Sequence, residues 1–158
     1  MYNTFMARPA SADFGVDDRD IVQFNPDLDN YYCWAVGDVK KNSKGGTLNK
    51  KATNKNTLSI EICSTCVPAT TLAVNTPNHT GWSFTEAALN NAAKLAKYLI
   101  KKYNIPLENV VRHYDITGKT CPGIIGWNEE HIYDMLTGKI TAKRSTNDKW
   151  IEFKNRLK

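Results

Sequence analysis

Reactive side chains are concentrated in one stretch of this 158-residue sequence, His113-Tyr-Asp-Ile-Thr-Gly-Lys-Thr-Cys121-Pro-Gly123. A histidine and a cysteine eight residues apart, with Gly118 letting the loop between them reverse, can converge on one metal ion. Imidazole and thiolate are ligands that zinc prefers, and a catalytic zinc takes three protein ligands and keeps a position for water. The competing reading is a core histidine beside an unrelated buried thiol. Lys119 shifts the balance, because a positive charge two residues before Cys121 favours the thiolate and can stabilise an oxyanion. Glu61 is the candidate general base for a metal-bound water, against the alternative of a sheet-face carboxylate paired with a lysine. Asp115 and Thr117 read as residues that order the loop.

These side chains need elements to hold them. Thr57 to Cys63 alternates as a strand, with Leu58, Ile60 and Ile62 on one face and Glu61 on the more polar one. Val110-Val-Arg-His-Tyr114 reads as a second buried strand with His113 near its end. Ala12 to Asp18 and Ile21 to Phe24 look like a hairpin, Lys40 to Asn56 like an exposed loop, and Val67 to Trp82 is irregular. A long helix is predicted from about Thr85 to Tyr103, with Ser83 and Glu86 at capping-box spacing. Its apolar stripe runs through Leu89, Ala92, Ala96, Leu99 and Tyr103. Two shorter helices follow, one capped by Asn128 and stopping at Gly138, the other with Trp150, Phe153 and Leu157 on its apolar face. The fold class is α/β, a mixed β-sheet packed by a long central helix and shorter C-terminal helices.

Composition bounds the rest. A chain of 158 residues, 41% hydrophobic and 23% charged, is one globular domain and excludes disorder, collagen and coiled coil. Twenty-one Lys and Arg against 16 Asp and Glu give +5, a surface drawn to polyanions. No run of basic residues exceeds a pair, so nucleic acid is not the expected partner. No apolar run approaches the roughly 18 residues of a membrane span. The N-terminus lacks the basic-then-apolar pattern of a secretory signal. Cys63-Ser-Thr-Cys66 has the spacing of half a zinc site or a redox pair, but no second pair follows, and Cys33 is a candidate third member. Cys63 is expected to pack beneath the active-site strand and Cys66 to lie in a loop; a disulfide between them would need an oxidising setting. Tyr31, Tyr32, Trp34 and Trp82 either line a groove for sugar and peptide or pack in the core; a split is expected, with Trp34 and Trp82 the candidate substrate-binding residues.

The His113-to-Gly123 motif, with Ser59-Ile-Glu-Ile-Cys-Ser64 upstream and the Asn78-His-Thr-Gly-Trp82 lead into the long helix, resembles the zinc-dependent N-acetylmuramoyl-L-alanine amidases. These comprise phage endolysins, autolysins and the related peptidoglycan recognition proteins. The resemblance runs from about Ala10 to Trp127. It implies that His113 and Cys121 are zinc ligands, Glu61 the catalytic glutamate and Lys119 the lysine near the scissile carbonyl. The implied reaction is hydrolysis of the amide between N-acetylmuramic acid and L-alanine of the stem peptide. The implied partner is peptidoglycan and the place of action the bacterial cell wall, reached as a phage lysis protein or by export through another route.

One departure stands out. The family's third zinc ligand is a histidine on a central strand preceding the segment that matches Ala10 onward, so residues 1–158 read as a single amidase-like domain, N-terminally incomplete, with a zinc site that is incomplete or empty. His79 and His131, the latter on a helix, are both expected at the surface. Asp13 stands where many relatives have a histidine that is not a zinc ligand. Three readings compete: a truncated amidase, an intact domain completed by another residue or a partner chain, and a peptidoglycan-binding protein that does not cut. Sheet edges left unpaired would favour a homodimer.

Overall fold

The computed structural model of the chain describes residues 10–36, 46–66, 76–134 and 137–158. Much of the Lys40–Asn56 and Val67–Trp82 stretches therefore lies outside the described residues. The central sheet has the order β2-β1-β3, formed by Phe14–Val16 (β1), Ile21–Gln23 (β2) and Ile60–Ile62 (β3). β1 and β2 are the expected antiparallel hairpin, whereas β1 and β3 run parallel. Two further backbone bonds, Phe14 N–H to the Ser59 carbonyl at 3.0 Å and Cys63 N–H to the Val16 carbonyl at 2.8 Å, extend the parallel pairing at both ends of β3. Leu58, Ile60 and Ile62 pack on the core, as their alternation requires, so Glu61 points the other way. A short pair, Thr65–Cys66 (β4) with Trp82–Ser83 (β5), carries the chain toward the long helix. Cys66 is thus in a strand rather than a loop, and Cys63 is exposed rather than packed beneath the sheet. None of the four cysteines is in a disulfide.

The long helix α1 spans Glu86–Tyr103. Its N-cap is Thr85, whose hydroxyl accepts from Ala88 N–H at 3.1 Å; Ser83 is instead paired in β5. Asn104, left-handed at φ 50°, closes the other end, and Lys101 and Lys102 complement the carbonyl pole of the helix. The face carrying Ala88, Ala92, Ala93, Leu95, Ala96 and Leu99 is buried. Its alanines let the helix lie close to the sheet, while each large side chain contributes roughly 1.5–3 kcal/mol by leaving water. The C-terminal helix α3, Asp148–Arg156, adds Phe153 and, just beyond its end, Leu157 to the same core. Trp127 sits between these layers, against Phe84, Trp150 and Phe153 with ring centroids 5.1–5.8 Å apart.

Two expected elements are absent. Val110 to Arg112 is extended but pairs with no strand among the described residues, and the chain turns at once into the short helix α2, His113–Thr117. Asp115 causes this: its carboxylate accepts Arg112 N–H at 2.8 Å, which caps a helix start and takes the donor that a strand ladder would use. Asn128 caps no helix. The region after it forms a hairpin of His131–Tyr133 (β6) and Ile140–Arg144 (β7). Gly138, at φ 66°, lies in its turn, where the Asp134 carboxylate accepts from Thr137. His131 is accordingly on a strand, and it is exposed.

Candidate active site

The short helix α2 and the loop that follows it bring His113 and Cys121 together. His113 opens α2, the next residue's N–H donates to the Cys121 carbonyl at 3.1 Å, and Gly118 ends the helix at φ 72° so that the chain doubles back. Thr117 steadies the return by accepting Lys119 N–H at 3.2 Å. The Cys121–Pro122 peptide is cis. From the opposite side, Leu48 N–H donates to the Asp115 carbonyl at 2.8 Å, and Gly46 lies so close to α2 that any Cβ there would collide with Asp115 backbone.

The Lys119 ammonium lies near enough to Glu61, His113 and Cys121 to bear on the ionisation of each, though burial has the larger effect in all three. Glu61 is open to solvent on one side, yet crowding by protein raises its carboxyl pKa, and the Lys119 charge only partly opposes this. Burial, assisted by the Lys119 charge, lowers His113 to about 4, against an opposing effect of the Val36 backbone. The imidazole is therefore neutral near pH 7 and has a lone pair to offer. Burial and the nearby Glu61 carboxylate push the Cys121 thiol up to about 11.

Sequence reasoning missed the supports. Arg112, next to His113, sends its guanidinium to both Asp115 carboxylate oxygens at 2.6 and 3.0 Å, to Asn147 Oδ1 at 2.8 Å and to the Trp127 carbonyl. It also lies over the Tyr114 and Trp150 rings. Asn128, fully buried, donates to the Pro122 carbonyl and accepts from Asn78 Nδ2 at 2.9 Å, fixing the Cys121 loop from behind. Asp13 accepts from Ser59 N–H and hydroxyl at 2.7 and 2.9 Å and from Asn25, so it pins the strand two residues before Glu61. The only local signal was the polar type of each residue within an apolar setting. His79, expected at the surface, is 1% exposed, stacked on Tyr133 and remote in sequence from the elements that cover it.

The aromatic residues divide. Tyr31, Tyr32 and Trp34 are exposed, whereas Trp82 is half-buried against the core.

His113 and Cys121 are donor types that zinc takes, but among the described residues no three His, Cys, Asp or Glu groups stand together to hold a metal.

A family model described as N-acetylmuramoyl-L-alanine amidase matches residues 2–124. The chain belongs to this family. The amidase CwlH of Bacillus subtilis (strain 168) is 34% identical over 125 residues, 77% of this chain and 40% of that protein. CwlL of Bacillus licheniformis, also named an N-acetylmuramoyl-L-alanine amidase, is 32% identical over 65 residues, 37% of this chain and 18% of its own. The chain therefore spans less than half the length of these curated relatives. Among solved structures, the catalytic domain of XlyA superposes with a TM-score of 0.55 at 26% identity, covering 99% of this chain and 73% of that one. The α/β fold is that of an amidase catalytic domain.

Proposed function

We propose that the chain hydrolyses the amide between the lactyl group of N-acetylmuramic acid and L-alanine of the peptidoglycan stem. What supports this reading is that the chain belongs to the amidase family and that the Lys119 charge bears on Glu61, His113 and Cys121 alike. Glu61 is the general base: its raised pKa brings it nearer to neutrality, so it takes a proton from the attacking water and returns it to the leaving amine. Lys119 is the residue whose ammonium stabilises the oxyanion that develops on the carbonyl in this reading. Trp34, on the exposed segment leading to Val36, contacts substrate; Trp82 does so only through its half-exposed edge.

His113 and Cys121 would hold a zinc ion, with the remaining ligand coming from outside the described residues or from a partner chain; when bound, zinc supplies a polarised carbonyl and a more acidic water. The neutral His113 imidazole suits that role.

Purified cell walls test the reading directly. Incubation should reduce turbidity and release L-alanine amino termini, and Glu61→Gln should lower that release by at least about 10²-fold while wall binding persists. Binding without any release from zinc-loaded protein would instead identify a wall-binding protein that does not cut. Equal loss of binding and release in Glu61→Gln would remove Glu61 from the base's role.

A further inference from the structure

The outer face of α1 carries charge that the fold does not use. Lys94, Lys97 and Lys101 are all exposed, and at about 100° per residue they lie within about 60° of one another, along roughly 10 Å of the helix. Spaced three and four residues apart they repel, and like charges at that spacing destabilise a helix. No acid relieves them: the only carboxylate of α1 is Glu86, in its first turn, where Arg156 binds it at 2.9 Å. Among the described residues the ion pairs are made by Arg112 and Arg156, and none by a lysine. The carbonyl pole of the helix does not account for the row, because its field fades within the last turn, which holds Lys101 and Lys102 but neither Lys94 nor Lys97. Lys102 differs from its neighbours in lying over the Tyr103 ring, 4.9 Å from the centroid. The row therefore weakens α1, and no group among the described residues compensates it. Its counter-charge belongs to a partner.

The row also faces away from the candidate site. α1 buries Leu95, Ala96 and Leu99 on the side of the sheet where Leu58 and Ile60 pack, whereas Glu61 points to the other side. A partner seated on the lysines leaves Glu61 open. The chemistry of the face selects that partner. Lysine ammonium groups are compact point charges, and a row of them with no arginine suits single negative charges repeated along a flexible chain. A lipid surface would call for several apolar side chains beside the cations, and single-stranded nucleic acid for a set of stacking rings; Tyr98, 59% exposed, is the one large apolar side chain exposed on α1. We propose that Lys94, Lys97 and Lys101 form a docking strip for a phosphodiester-linked polyol polymer of the cell wall, which holds the chain at the wall by one side of the sheet while the other side meets the stem peptide. This rests on the amidase reading, which places the chain at the wall.

Calorimetric titration of the full chain with poly(glycerol phosphate) at rising salt tests this without requiring turnover. Each neutralised phosphate contributes about 0.7 to the fall of log K with log salt, so Lys94→Gln/Lys97→Gln/Lys101→Gln should make the slope shallower by about 2 and weaken binding by at least about tenfold at low salt. Its melting temperature should hold or rise, since the repulsion is gone. Lys139→Gln/Lys143→Gln/Arg144→Gln removes the same charge from exposed positions on the β6–β7 hairpin and should change the slope little. Equal losses in the two triple variants would reduce the effect to net charge and overturn the proposal. Wild-type protein that ignores the polymer, or an α1 variant that binds it normally, would do so too. Tighter binding of phosphatidylglycerol vesicles or single-stranded DNA than of the polymer at equal phosphate, lost in the α1 variant, would assign the row to those partners instead. On walls, the α1 variant should release L-alanine amino termini more slowly than wild type where the polymer is present, and at the wild-type rate once hydrofluoric acid has stripped it; an equal deficit on stripped walls would refute the docking role. Polymer binding without release from any wall would refute the amidase reading and leave the strip standing, and release without polymer binding would do the reverse.

Discussion

Arg112 offers the sharpest test of how the site is held. Its side chain is 8% exposed and ion-paired to Asp115, itself 19% exposed, and it touches α2, the loop bearing Trp127 and the start of α3 at Asn147. Removing one partner of a buried, hydrogen-bonded pair costs about 3–5 kcal/mol, because the other charge is left uncompensated. Asp115 keeps its bond from Arg112 N–H and some solvent, which argues for the lower end, about 3 kcal/mol. For a domain of this size that lowers the melting temperature by about 6–12 °C. Arg112→Lys keeps the charge but loses the planar fork and the stacking on Tyr114 and Trp150, so it should fall between. A double-mutant cycle of Arg112→Ala with Asp115→Ala should show coupling of about 1–3 kcal/mol by denaturant melts. Amide exchange at His113 and Tyr114 should accelerate more than in β1. Arg112→Ala melting within about 2 °C of wild type, or strictly additive single changes, would refute the claim that this ion pair holds the His113 helix.

Other consequences are simpler to read. Asn128→Ala leaves Asn78 Nδ2 and the Pro122 carbonyl without their buried partner and should destabilise by about 2–3 kcal/mol in urea titration, with Asn128→Asp no rescue. Thr85→Ala removes the N-cap of α1 and should cost about 1 kcal/mol by the same measurement, whereas Ser83→Ala should cost little of the helix. Asp17 accepts N–H bonds from Asp20 at 2.7 Å and Arg19 at 2.8 Å, which hold its pKa below 3.8 in the folded chain. Its stabilising effect is complete above the unfolded value and is lost as pH falls through the folded one, so Asp17→Asn should lower the melting temperature slightly near pH 7 and flatten its decline below pH 3.8.

Which parts could be read in the sequence follows from the range of the forces. α1 and β3 have periodicities of their own, and the positions of Leu99 and Ile60 in the core follow from spacing alone. Glu61, Lys119, His113 and Cys121 were legible as chemical types at telling separations. The helix that starts at His113 was not, because the Arg112-Asp115 cap and the anchors at Trp127 and Asn147 outweigh the β-preference of Val110 and Val111. His131 and Gly138 were misread for a similar reason: Asn128 is a strong helix cap by type, but Pro122 and Asn78 engage its side chain. His79 and Asp13 are buried by segments far along the chain, and nothing adjacent to either announces it.

The candidate site also has a kinetic anatomy. His113 and Cys121 are eight residues apart and meet through one short helix and its return, a contact of low sequence separation that closes quickly. Glu61 arrives from a strand 52 residues upstream of His113, and it is aligned only when β3 has found β1 in parallel. The pair proposed as ligands is thus a local hairpin-like unit that can form before the molecule has its final topology, whereas the proposed base joins with the slowest class of contact in the fold. Lesions that disturb the parallel register would spare the pair and misplace Glu61.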